Sequence, residues 1–197
     1  LDELNGHGEI DATISGPLLK PEILGQAKLS SGFAKLKNFP HPVEQVSADV
    51  QFSASKIVIS DILGRFASGQ VRGQGTVRIE GPRNLPVEIH AQAENVTLQF
   101  PDKVRTTGNL DLSFTGNWFP FLLAGTYRIQ GGLFAMEFAG QSEQNRVQQS
   151  AYLPKEVVSS AFEPVLLDLH LDISRPLPIK NSLLEGLAIG QLQVKGS

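Results

Sequence analysis

The chain has 197 residues, a net charge of −3 and no cysteine. Its length suits one large domain or two small ones, and the missing cysteines exclude disulfides, thiol catalysis and cysteine-ligated zinc. Acidic and basic residues are interleaved, with no basic stripe of the kind a nucleic-acid partner requires.

The opening "LDELNGHGEI" has neither the basic nor the apolar region of a secretory leader, and it lacks an initiator methionine. It reads as the start of a piece cut from a longer chain. At 8–16, "GEIDATISG" alternates Ile10, Ala12 and Ile14 with polar residues between two glycines. Such period-two alternation marks a strand with one buried face. It recurs in Val46, Ala48, Val50 and Phe52, then in Ile57 and Ile59, then in Val77 and Ile79. Val87, Ile89, Ala91 and Ala93 follow, and after a break Val96, Leu98 and Phe100. "GNLDLSFTG" at 108–116 places Leu110, Leu112 and Phe114 in the same slots. Phe134, Met136 and Phe138 continue the series. From Gly140 to Pro164 the text turns polar and glutamine-rich, and alternation stops. That stretch predicts a long excursion over 141–164 with a short helix at 155–161. Val165, Leu167, Leu169, Leu171 and Ile173 then form the longest alternating row, and Leu192 with Val194 closes the chain. About a dozen strands are expected, with short turns and little helix outside 141–164.

One motif is written twice. At an offset of 100 positions, Gly8, Gly16, Gly25 and Gly32 fall on Gly108, Gly116, Gly125 and Gly132. Lys28 falls on Arg128, and Leu29 on Ile129. A shorter glycine frame appears in "GTVRIEG" at 75–81 and "GQLQVKG" at 190–196. Self-similarity of this kind points to repeated units that bury their apolar faces against neighbours.

Sites of chemistry are sparse. His7, His41, His90 and His170 are scattered and form no metal-binding spacing. "DLHLD" puts Asp168, His170 and Asp172 on one side of a strand, where a solvated outer face is the simpler reading than a weak metal site. "GQVRGQG" at 69–75 lacks the lysine and helix of a phosphate loop. Glu80, Glu88 and Glu94 look like outward strand positions rather than an acid–base pair. No nucleophile elbow occurs, so neither an enzyme nor a cofactor is expected. "WFPFLL" at 118–123 holds the single tryptophan; it is either a hydrophobic turn packed over the end of the sheet or an interfacial, partner-docking tip.

The ordered succession "ISDILGRFASGQVRGQGTVRIEG" at 59–81, "LPVEIHAQAENVTLQF" at 85–100, "VRTTGNLDLSFTGNWFPFLLAGTYRIQGG" at 104–132 and "VLLDLHLDISRPLPIKNSLLEGLAIGQLQVKG" at 165–196 resembles the TamB family, within the wider AsmA-like group. The resemblance spans most of the chain and is weakest at 141–164. Neither the amino-terminal membrane helix nor the closing segment of a full-length member is visible. The resemblance implies an all-β fold over 1–197, in which one long curved sheet is bent lengthwise into a taco-like trough with an apolar interior. It implies a protein in the periplasm of a Gram-negative bacterium, anchored in the inner membrane and bridging to the outer membrane through parts not contained in this stretch. Its implied partners are phospholipid acyl chains and an Omp85-type barrel, TamA. The expected trough lining is Ile10, Ile14, Val46, Val50, Phe52, Ile57, Ile59, Val77, Ile79, Ile89, Leu98, Leu110, Leu112, Phe114, Phe134, Phe138, Leu167, Leu169, Leu171 and Ile173. A dozen strands at ~4.8 Å spacing would make a trough roughly 55–60 Å long. The alternatives are an assembly chaperone that pairs an open sheet edge with a barrel strand, and a structural β spacer whose apolar face is merely core.

Overall fold

A computed structural model describes residues 2–17, 22–35, 40–81, 83–99, 103–135, 165–180 and 182–196. Ten strands form one sheet: β1 (Glu3–Ser15), β2 (Glu22–Lys35), β3 (Val43–Ala54), β4 (Lys56–Phe66), β5 (Gly69–Arg78), β6 (Val87–Gln99), β7 (Val104–Gly116), β8 (Phe121–Phe134), β9 (Val165–Lys180) and β10 (Glu185–Gly196). Their spatial order is their sequence order, so β1 and β10 are the outermost of the described strands. Neighbours are antiparallel throughout, except that β8 and β9 run parallel. Among the described residues there is no helix. The expected helix at 155–161, the excursion at 141–164 and Phe138 lie outside the described residues.

Among the described residues there are ten strands, against the dozen expected of the whole chain. Ala93 and Val96 belong to one strand, not two, because Glu94 and Asn95 form a bulge that shifts the register between them. Ten strands give nine spacings and a sheet roughly 43 Å across rather than 55–60 Å.

Bulges also set the curvature. Ser31, Gln45, Asp61 and Asn95 take left-handed φ values of 54°, 53°, 51° and 56° inside β2, β3, β4 and β6. Each sits at a register shift. An extra residue on one strand bends that strand and increases its twist. Repeated on several strands, the bend folds the sheet along its length.

The fold-back is visible in burial. A flat single-layer sheet leaves both faces wet, yet Val96 is 0% exposed and Ala93, Leu110, Tyr127, Ile129 and Leu177 are buried with it in one cluster. Leu177 comes from β9 and Val96 from β6, so the cluster spans four successive strands. Tyr127 locks this region. Its ring lies against Gly108, where a Cβ would stand 2.9 Å from ring carbon Cε2. Its hydroxyl bonds the Val96 carbonyl at 3.3 Å and Thr106 Oγ1 at 3.1 Å. Burial pushes the Tyr127 phenol pKa up, with a smaller opposing effect from Thr106. Tyr127→Phe is expected to cost about 1–2 kcal/mol in urea unfolding, since it strands buried acceptors; Tyr127→Ala should cost more than the Phe variant.

A second tie crosses the lower rim. His41, between β2 and β3, accepts the Gln99 N–H of β6 at Nε2, 2.8 Å away. Its ring meets Phe66 edge-on at 6.4 Å. Burial holds the His41 pKa below its ordinary 6.5. The neutral ring is the form that folds, so the stability it contributes is complete above 6.5 and is lost as pH falls through the folded value. Melting curves across this range should show an acid-side loss that His41→Asn removes.

Candidate functional site: an apolar trough

Register partners across a sheet share a face. One line of partners runs through all ten strands: Ile10, Ala27, Val50, Ile59, Gly75, Ile89, Phe114, Leu123, Leu167 and Gly196. No member is polar. Toward the upper rim, the next line holds Ala12, Gly25, Phe52, Ile57, Val77, Val87 and, on β7, Gly116. Below it, Ile62, Gly73, Ala91, Leu112, Gly125, Leu169 and Val194 form another.

The opposite face is polar. Lys28 pairs with Asp49 at 3.9 Å, Gln92 donates to Asp111 at 3.3 Å, and Gln193 donates to Asp168 at 2.7 Å. Such exposed contacts contribute little stability; they keep this face in water. Asp168 and His170 lie there, 3.9 Å apart. Among the described residues, no group of three His, Cys, Asp or Glu gathers to hold a metal. "GQVRGQG" lies within strand β5, hydrogen-bonded on both sides.

Among the residues expected to line the trough, the register places Ile10, Ile14, Val46, Val50, Phe52, Ile57, Ile59, Val77, Ile89, Leu98, Leu110, Leu112, Phe114, Phe134, Leu167, Leu169, Leu171 and Ile173 on this one apolar face. Ile79 follows β5 and donates its N–H to the Ser55 carbonyl at the upper rim. The face is not uniform. Its lower band is filled by its own side chains: Leu110 is buried in the closed cluster, and Leu98, Leu112, Phe134, Leu171 and Ile173 pack on it. The upper band, with Ile59, Ile89, Phe114 and Leu167, is only half-buried. At the outermost described strands the same face is open, with Ile10 74% and Leu192 58% exposed. The accessible trough is therefore the upper band, floored by the closed core.

Alternation missed several members of this face. Val43, Phe66, Tyr127 and Leu177 were not expected there, although Tyr127 and Leu177 are among its most buried residues. Tyr127 and Ile129 continue the parity of Leu123 and Gly125, a signal obscured by the glycines and by Thr126 and Arg128.

The sequence repeat is a structural one. In β1–β2, Ala12 pairs with Gly25 and Ile10 with Ala27; in β7–β8, Leu112 pairs with Gly125 and Leu110 with Tyr127. Both hairpins keep one register down to Gly8 and Gly108, and both carry a register shift toward their lower ends. A Cβ on Gly25 would strike the Asp11 carbonyl oxygen, and one on Gly125 the Asp111 carbonyl oxygen.

Residues 60–197 match the family model of the TamB C-terminal domain. No curated protein and no solved structure matches the chain. The match opens within β4 and runs to β10, while β1 to β3 continue the same sheet with the same hairpin geometry. A single open sheet with one apolar face, matched over more than half its length, thus has a family: the chain belongs to TamB, a family of bacterial envelope proteins that are transport and assembly modules rather than enzymes.

Proposed function

We propose that the upper band of the trough carries phospholipid acyl chains along the sheet, across the strands, in the periplasm between the inner and outer membranes. The observation that supports this reading is the unbroken apolar line from Ile10 to Leu167, half-buried at the centre and open toward β1. An acyl chain needs such a surface, screened from water, and gains about 0.8 kcal/mol per buried CH₂. A width of roughly 43 Å exceeds one extended acyl chain, so more than one lipid fits. Headgroups can stay in water at the open side, and no specific pocket is needed. Native mass spectrometry of the purified protein tests the reading. Bound phospholipid that survives purification is the expected result, and a lipid-free protein favours the spacer.

A further inference from the structure

The rim between β7 and β8 is apolar on the inside, at the tip and on the outside. Inside, Phe114 of the lining row meets Phe121 at a ring separation of 5.1 Å, Phe121 meets Phe119 at 5.0 Å, and Phe119 meets Trp118 at 5.3 Å. At the tip, Trp118 and Phe119 remain 38% and 42% exposed. Outside, Leu122 and Leu166 are register partners on the otherwise polar face, and both are exposed. Earlier strands fill that outer line with Asp11, Gln26, Gln51, Thr76, Glu88 and Thr115, and Val58 is its other apolar member. Residues 117–123 carry no charge. The loop is also held in place, because the Asn117 carbonyl accepts the Leu85 N–H at 2.8 Å. That bond ties it to the β5–β6 connection, on which Arg83 is exposed.

A flat or concave apolar patch suits a folded protein partner. This surface is convex and wraps over an edge, which a fluid medium can follow and a rigid one cannot. Its tip is a tryptophan, whose ring favours the boundary between headgroups and acyl chains. The neighbouring loop offers a cation for lipid phosphates. We propose that this rim seats in the interfacial layer of a phospholipid bilayer, so that acyl chains find a continuous apolar path from the bilayer, over Trp118, Phe119 and Phe121, to Phe114 and the trough. The seating stands by itself; the path rests on the acyl-trough reading above.

Trp118 is the only tryptophan in the chain, so its fluorescence reports this site alone. Vesicles of phosphatidylethanolamine and phosphatidylglycerol are expected to move its emission to shorter wavelength. A nitroxide on a lipid headgroup region should quench it more strongly than one deep in the acyl layer. The pair Leu122→Ser and Leu166→Ser, both on the outer face, should reduce co-flotation with vesicles by about tenfold or more, with the far-UV spectrum and the retention of a soluble short-chain acyl probe unchanged. If that double variant unfolds, the depth of quenching in the unaltered protein decides. Emission that ignores vesicles while the short-chain probe still binds overturns the seating and leaves the trough standing. Vesicle seating with no binding of the probe keeps the rim and overturns the trough. Stronger quenching by the deep label overturns the interfacial placement.

Discussion

Gly125→Val unfolds the protein or costs it about 3 kcal/mol or more, whereas Gly131→Val, on the same strand, changes stability by no more than about 0.5 kcal/mol. The two sites differ in what a side chain would meet. At Gly125 a Cβ collides with the Asp111 carbonyl oxygen and comes within 3.0 Å of Leu112 Cα, both on the hydrogen-bonded neighbour β7. Neither obstacle is the flexible end of a side chain, so the β7–β8 ladder itself must part. At Gly131 nothing lies within 4 Å, and valine has the better strand propensity. Gly25→Val should share the defect, because Gly25 faces Asp11 and Ala12 as Gly125 faces Asp111 and Leu112, and its φ of 149° adds strain. Urea unfolding of the variants measures the differences. Equal midpoints for the variants at 125 and 131 would show that the strand backbones can separate at little cost, and the close approach at the repeated glycines would lose its structural meaning.

The second large effect separates a trough from a core. Leu112 and Ser113 are adjacent on β7 and point to opposite faces. Leu112 is half-buried on the apolar face between Ala91 and Gly125. Ser113 lies on the polar face beside His90 and Ala124, with its hydroxyl donating to the Ala124 carbonyl at 3.4 Å. Leu112 packs on the closed cluster but is only half-buried, so a carboxylate there can still reach water from the open side, and the protein should remain folded at reduced stability. It should lose lipid cross-linking at this position, and the full-length protein should no longer support the envelope. Ser113→Asp should do neither. If 112 belonged instead to a dry core, Leu112→Asp would unfold the protein by several kcal/mol. A melting curve beside photocross-linking on both variants decides. A folded Leu112→Asp that carries lipid as well as Ser113→Asp does would sink the acyl-trough reading.

Much of this architecture is legible in the residues because strand parity is a local property. The row from Val165 to Ile173 needs no tertiary knowledge to read, and neither does the apolar side of 108–116. What parity cannot supply is continuity across a bulge. Asn95 and Asp61 enter the left-handed region without being glycine, so the text beside them reads as a strand end. The β4–β5 turn shows the same difficulty: Ala67 and Ser68 hold φ values of 46° and 72°, a tight two-residue hairpin built without Asn or Gly. Depth is invisible as well. Leu110 and Leu112 look alike in sequence, but Leu110 is buried inside the cluster whereas Leu112 packs against it half-buried. Which strands are edges depends on the whole order, and the exposed tip at Trp118 becomes distinct from a packed turn only when its neighbours are placed.

The one parallel joint also governs how the chain gets to this structure. Every other pairing is a hairpin or near-hairpin between successive strands, as with Ser53 and Lys56, and such contacts form early because little chain must be closed between them. At the β8–β9 seam, Phe121 meets Val165 and Phe134 meets Ile179. No tight turn can lead one strand into its parallel neighbour, and closing a connection of roughly thirty residues costs on the order of 3 kcal/mol of chain entropy. The ladder β1–β8 can zip from any of its turns, and β9–β10 can form as a hairpin. Their junction is then the slow step of folding. Native-state hydrogen exchange would see it as a boundary between two cooperative units, with the β9–β10 hairpin detaching before the rest of the sheet opens.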